Sequence, residues 1–217
     1  MSSLHGAETS AAPVAMLCTG NVHKVTELQQ LLPHWQLHRM PADAVLPEET
    51  GATLLDNARI KAYGGRELIA QHRTALPWVI ADDSGLCVDA LDGAPGVHSA
   101  RFAGPSATDE DNVHALLKRL AACSDHRSSA RFECVLVAVS PSGHELVATG
   151  QVHGHIITSP RGTTGFGYDP IFVPDSYHKT FAELGPAVKD SMSHRARAAA
   201  SLTTQLDDYM HAAQLRT

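Results

Sequence analysis

Two adjacent carboxylates, Asp82 and Asp83, follow the apolar run Trp78-Val79-Ile80-Ala81 and precede Ser84-Gly85. A pair of acids at the mouth of a buried strand is costly unless a positive charge offsets it, and a divalent cation shared with a phosphate is a common solution. A second acidic source, Pro47-Glu48-Glu49-Thr50, lies in a loop able to approach the same strand end. Mg²⁺ needs only one or two protein carboxylates when water and phosphate oxygens complete its octahedron. The bland alternative is a strand-end turn in which one carboxylate caps the next N–H. Another short strand, Val14 to Cys18, opens into Thr19-Gly20-Asn21-Val22-His23-Lys24 and then a helix, where N–H groups and the helix dipole favour an anion. The GxxxxGK[ST] spacing of a Walker loop is absent. Taken alone, an Asn-capped helix with a solvated Lys24 is the stronger reading, and such a lysine contributes little to stability.

Two later patches add to these. Pro160-Arg161-Gly162-Thr163-Thr164-Gly165-Phe166-Gly167-Tyr168-Asp169-Pro170 is dense in glycine, which lets backbone approach a planar ligand closely while Phe166 or Tyr168 stacks on it. A glycine-rich connection with core aromatics explains it equally well. Lys189 and Ser193-His194-Arg195 supply donors near the start of the last helix, a pattern that ordinary capping also produces.

These patches need elements to hold them. Val25, Leu28, Leu31 and Leu32 form the apolar stripe of a helix that ends before Pro33. Thr53-x-x-Asp56 and Thr108-x-x-Asp111 read as capping boxes for two further helices, the first weakened midway by Gly64-Gly65 and the second burying Val113, Leu116, Leu117 and Leu120. Phe132 to Val139 is the clearest strand, and Pro141-Ser142-Gly143 turns it into a partner from Glu145 onward. The last helix is expected from about Ser193 to Tyr209. Parallel βα units plus a hairpin imply an α/β fold with a mixed sheet.

The 217 residues, 43% hydrophobic, suffice for a sizeable core, and a formal net charge of −6 argues against a polynucleotide as default partner. Cys18, Cys87, Cys123 and Cys134 lack a CxxC pair or a zinc-ligand pattern, which suits reduced thiols in a cytoplasmic protein. His153-x-His155 reads as strand decoration. Residues 1–13 read as a disordered tail before a single domain spanning 14–217, and no apolar run approaches membrane-spanning length.

Together and in order, TGNVHK (from Thr19), DDSGLCVDALDGAPGVHSARFAG (from Asp82), PRGTTGFGYDPIF (from Pro160) and TFAELGPAVKDSMSHRARA (from Thr180) resemble the inosine triphosphate pyrophosphatase family, also described as dITP/XTP pyrophosphatases. The resemblance implies an elongated two-lobed α/β fold, a central twisted mixed sheet flanked by helices, an active-site cleft between the lobes, and a homodimer. It implies Mg²⁺-dependent hydrolysis of ITP, dITP and XTP to the monophosphate plus pyrophosphate. Carried over by motif, Thr19, Gly20, Asn21, Val22, His23 and Lys24 would hold the triphosphate. Asp83 would be proton acceptor and metal ligand, with Glu48 the other acidic ligand. Ser84, Phe166, Gly167, Tyr168, Asp169, Lys189, His194 and Arg195 would line the nucleotide site, and Arg195 or backbone N–H groups would donate to the purine O6. A septum-inhibitor-like nucleotide pyrophosphatase and a non-catalytic nucleotide-binding regulator are the competing readings. The motif set argues against the first, and the acidic pair beside the phosphates against the second.

Overall fold

The computed structural model describes residues 12–41, 43–123 and 128–214. Its strands are β1 (Val14–Leu17), β2 (Gln36–Arg39), β3 (Trp78–Val88), β4 (Ser128–Val139), β5 (Glu145–Ile156) and β6 (Phe172–Pro174). They form one six-stranded sheet in the order β2-β1-β3-β4-β5-β6. The β1 pairings are parallel, and those from β3 to β6 are antiparallel. This is the mixed sheet expected, with β2 and β6 as short edges that the sequence pattern did not reveal. The helices are α1 (Val22–Leu31), α2 (Leu54–Ala70), α3 (Asp109–Ala121), α4 (Phe181–Leu184), α5 (Pro186–Met192) and α6 (His194–Gln214). None of the described helices is long and apolar enough to cross a membrane. The segment read as a tail lies outside the described residues through residue 11, while the Pro13 carbonyl already accepts the Gln36 N–H at 2.9 Å.

Both expected capping boxes form, Thr53 with Asp56 and Thr108 with Asp111. Gly64-Gly65 does not interrupt α2, because tertiary packing uses the missing side chains. A Cβ on Gly65 would sit 2.1 Å from Cys18 Sγ, and one on Gly64 would sit 2.2 Å from the Pro47 ring. The helix therefore lies unusually close to the end of β1 and to the loop carrying Glu49. Gly65→Ala is expected to cost about 1–3 kcal/mol through overpacking, more than the roughly 1 kcal/mol gained in helix propensity. A urea midpoint equal to or above wild type would contradict that packing argument.

The Asp82-Asp83 doublet does not end its strand. β3 continues to Val88 because β4 pairs with it throughout, with Asp82 opposite Leu136 and Asp83 opposite Val135. What ends is the other neighbour: β1 pairs no further than Leu17 with Ile80, and Cys18 N–H makes a last bond to the Ile80 carbonyl at 2.8 Å. The doublet thus occupies a notch just past the carboxyl end of a parallel strand, where α/β folds commonly seat ligands.

Core packing divides along the same line. Trp78 and Ile80 join α1 and α6 on one face of the sheet, and Val79 and Ala81 join α2 residues on the other. Farther along the same strand, Leu86 and Val88 belong to a separate core with α3, Phe132, Phe172 and Phe181. Residues 82–85 cross the waist between these two lobes.

Candidate active site

Strand geometry determines what each aspartate meets. Successive side chains point to opposite faces, so Asp82 continues the face of Ile80, toward α1 and α6, while Asp83 continues the face of Ala81, toward α2. Accordingly, Asp82 Oδ2 lies 2.9 Å from Lys24 Nζ of α1 and 3.4 Å from the Arg195 guanidinium of α6. Asp83 Oδ1 lies 2.8 Å from Lys61 Nζ of α2, and its other oxygen accepts from Asn57 Nδ2 at 3.3 Å. The adjacent acids consequently have different electrostatics. Burial pushes the Asp82 carboxyl up, but Lys24, Arg195 and Lys61 outweigh that and hold it well below the carboxylate range. For Asp83, burial prevails over Lys61 and Lys24, and its carboxyl is raised. Asp82 is a fixed negative charge, whereas Asp83 is the better proton acceptor.

The cleft around this notch has a volume of about 490 Å³, and its lining includes Thr19, Gly20, Asn21, Lys24, Ser84, Phe166, Gly167, Tyr168, Asp169, Lys189, His194 and Arg195. Val22 is exposed outside the lining, and His23 instead stacks on Phe166 with ring centroids 5.3 Å apart. At the α1 start, Asn21 Oδ1 accepts the His23 and Lys24 N–H groups at 2.9 and 3.3 Å, and Thr19 Oγ1 accepts the Asn21 N–H. The cap is therefore real, but Lys24 is not solvated. Its side chain is 15% exposed and serves a fully buried partner.

Glu48 is exposed and lies outside the lining, whereas Glu49 faces the cleft and binds Lys61 Nζ at 2.9 Å. Lys61 is thus clasped between Glu49 and Asp83, oxygen donors from two separate segments. Among the described residues no cluster of three His, Cys, Asp or Glu side chains surrounds one point. The donor chemistry fits a hard cation whose remaining ligands are substrate oxygens and water. The expected acidic loop thus reaches the site through Glu49 rather than Glu48, and Lys61, Asn57 and Glu27 join it with no sequence motif to mark them; the buried face of α2 carries Asn57 and Lys61 among Ala58 and Ala62, and polar residues on such a face are a signal for them.

At the opposite end, Lys189 Nζ bridges Asp169 at 2.7 Å and Glu27 at 3.1 Å, and lies 4.3 Å from the Phe166 ring centroid. Asp169 Oδ2 also accepts the Phe166 N–H, so the same carboxylate shapes the turn and holds the lysine. Arg195 is 1% exposed; one terminal nitrogen engages Glu27, and the other engages Asp82 and Ser84 Oγ, the latter at 2.9 Å. Both terminal nitrogens are thus engaged within the protein, while Nε has no partner among the described residues and the guanidinium carbon lies 6.0 Å from the Phe166 ring centroid. His194 stacks on Phe132 at 4.9 Å, and burial, then Arg195, Lys189 and Lys24, push its pKa well below the ordinary imidazole range. It is neutral at pH 7.

A notch past a parallel strand, a buried Asp82 beside a cleft-lining Asp83, and the five cations Lys24, Lys61, Arg101, Lys189 and Arg195 along one cleft define an α/β protein whose cleft suits a polyanion. The chain belongs to the Ham1 family, whose model matches residues 15–205. It is 44% identical over 200 residues to a dITP/XTP pyrophosphatase of Opitutus terrae, covering 86% of this chain and 95% of that one. Identity to the dITP/XTP pyrophosphatase of Methylococcus capsulatus is 45% over 196 residues, covering 88% and 94%. Among solved structures, a HAM1 protein from Coxiella burnetii aligns with TM-score 0.79 at 37% identity, covering 90% of this chain and 99% of that chain.

Proposed function

We propose that this chain is a nucleoside-triphosphate pyrophosphohydrolase acting on ITP, dITP and XTP. The observation that carries the reading is the split doublet: a charge-locked Asp82 beside an Asp83 of raised proton affinity, facing a cleft that also holds Lys24, Lys61, Lys189 and an aromatic platform at Phe166. Relatives named for dITP and XTP support the substrate class. Water would attack the α-phosphorus in line with the β-phosphate bridge. The new P–O bond forms as the bridging bond breaks, pyrophosphate leaves, and Asp83 takes the water proton. Lys24 and Lys61 would neutralise phosphate oxygens.

Mg²⁺ is the cofactor we propose, held by Asp83 and by Glu49 in place of Glu48. When bound it would neutralise phosphate charge and acidify a coordinated water. Base choice would fall to donors that meet O6, from Arg195 or a backbone N–H beside the Phe166 ring, since adenine presents an amino group there and would leave such donors unpaired, a mismatch worth up to roughly 10⁴-fold. Guanine shares O6, so its exclusion must arise at the 2-position. Removing deaminated purines from the nucleotide pool, where they would otherwise be incorporated into nucleic acid, is the corresponding role. A homodimer and a cytoplasmic location complete the proposal; the four cysteines, all free thiols, suit a reducing compartment, and sedimentation at micromolar protein would test the dimer.

The direct test is incubation of ITP with protein and Mg²⁺, followed by separate assays of pyrophosphate and orthophosphate. Stoichiometric pyrophosphate with IMP is expected; orthophosphate with IDP would refute attack at the α-phosphorus. Lys24→Ala is expected to lower kcat/KM for ITP by at least about tenfold, as removal of a charge-assisted contact does. It should also lower thermal stability, because Asp82 loses an ion-pair partner. Unchanged melting would show that this lysine is the solvated helix-start residue read from sequence.

A further inference from the structure

The turn carrying Phe166 is held by two carboxylates. Asp169 acts from within the turn, through the Phe166 N–H at 3.0 Å. Asp109, the first residue of α3, acts from outside: its Oδ2 accepts the Gly167 N–H at 2.7 Å, and both residues line the cleft. Gly167 has φ 61°, in the left-handed region that glycine enters without strain. The reciprocal cap of α3 is made by Thr108 and Asp111, so the helix start does not require the Asp109 carboxylate.

The residues on either side of Gly167 face different parts of the molecule. Phe166 stacks on His23 of α1 and lies beneath Lys189. Tyr168 is buried with Ile171, Phe172 and the apolar face of α3, and its hydroxyl donates to the Ser99 carbonyl at 2.8 Å. Gly167 is therefore the joint between a ring that reaches the first lobe and one embedded in the second, and Asp109 fixes that joint.

We propose that Asp109 is a positioning residue for the base platform, holding Phe166 where a purine can stack. The proposal rests on the nucleotide reading above and extends it to a residue outside the family motifs. Its effect should depend on the base: a substrate bearing a purine uses the platform, whereas bare polyphosphate does not. A merely structural role, negative charge in the first turn of α3, would lower stability without distinguishing the two.

The test compares Asp109→Ala and Asp109→Asn with wild type in ITP kinetics, in inhibition by inorganic tripolyphosphate, and in amide exchange at Gly167. Loss of a bond to a charged acceptor should raise KM for ITP roughly tenfold or more in the Ala variant. Turnover number is expected to stay within a few-fold, and tripolyphosphate inhibition to be unchanged. Asp109→Asn should recover most of the KM, since its amide oxygen still accepts. Unchanged KM, equal losses for ITP and tripolyphosphate, or an Asn variant as weak as Ala would overturn the proposal. Gly167 exchange should be faster in the Ala variant than in wild type or the Asn variant, and unaltered exchange would refute the latch. Failure of wild type to hydrolyse ITP would refute the nucleotide reading instead, while the exchange comparison still reports on the latch.

Discussion

Asp83→Asn is expected to reduce pyrophosphate release from ITP by about 10²–10⁴-fold, the range associated with loss of a positioned general base. The substitution is nearly isosteric, and the Asn57 and Lys61 contacts at 3.3 and 2.8 Å locate the side chain whose charge is removed. Lys61 keeps Glu49 as a partner, so the variant should fold. The loss should appear in kcat, because proton removal belongs to the transition state more than to substrate binding. Calorimetric titration with ITP should still show binding, and thermal unfolding should remain cooperative. Activity within a few-fold of wild type would remove Asp83 from the proton-acceptor role.

Asp82 and Asp83 have separate electrostatics, which the family resemblance implies by giving the proton-acceptor role to Asp83 but which the local pattern of the chain does not explain. Adjacent letters suggest one acidic patch, but the twofold repeat of a strand sends them to different helices. The apolar run did locate the strand, and the helix stripes and capping boxes located α1, α2 and α3, because those signals are local. Charge usually marks a strand end, which places the expected end of β3 at the doublet; the unbroken β4 ladder overrides that expectation. Edge strands β2 and β6 were not recognised, being only four and three residues long.

The site was legible wherever a motif kept its residues close in sequence. Thr19 to Lys24, Phe166 to Asp169 and Lys189 to Arg195 all contribute to the cleft. What escaped were counter-charges from distant segments: Glu27 is 162 and 168 residues from Lys189 and Arg195 in the numbering, and Lys61 lies inside an apolar helix face. Sequence spacing carries no information about such pairs. The choice between Glu48 and Glu49 has the same origin, since only the path of the loop decides which neighbour turns inward.

The largest stability effect is expected from Arg195→Ala. Arg195 is 1% exposed and Asp82 is equally buried, so truncating the guanidinium leaves a buried carboxylate whose remaining ion-pair partner is Lys24, with Lys61 acting from farther away. Breaking one side of a buried ion pair costs about 3–5 kcal/mol, because the surviving charge keeps its desolvation penalty. The cost should depend on pH. In wild type, Lys24, Arg195 and Lys61 overcome burial and depress the Asp82 carboxyl, so its stabilising contribution is present above the unfolded carboxylate pKa and lost only as pH falls through the lower folded value. Without Arg195 that folded pKa moves up, and protonation relieves the buried charge earlier. His194 moves the same way, since Arg195 is one of the groups suppressing its protonation. The stability gap between variant and wild type should therefore narrow as pH is lowered from 7 through the ordinary carboxylate range. Urea unfolding at several pH values measures it. A gap that stays constant would show that Arg195 acts through packing of its aliphatic stem, and a variant as stable as wild type at pH 7 would show that Lys24 and Lys61 suffice to balance Asp82.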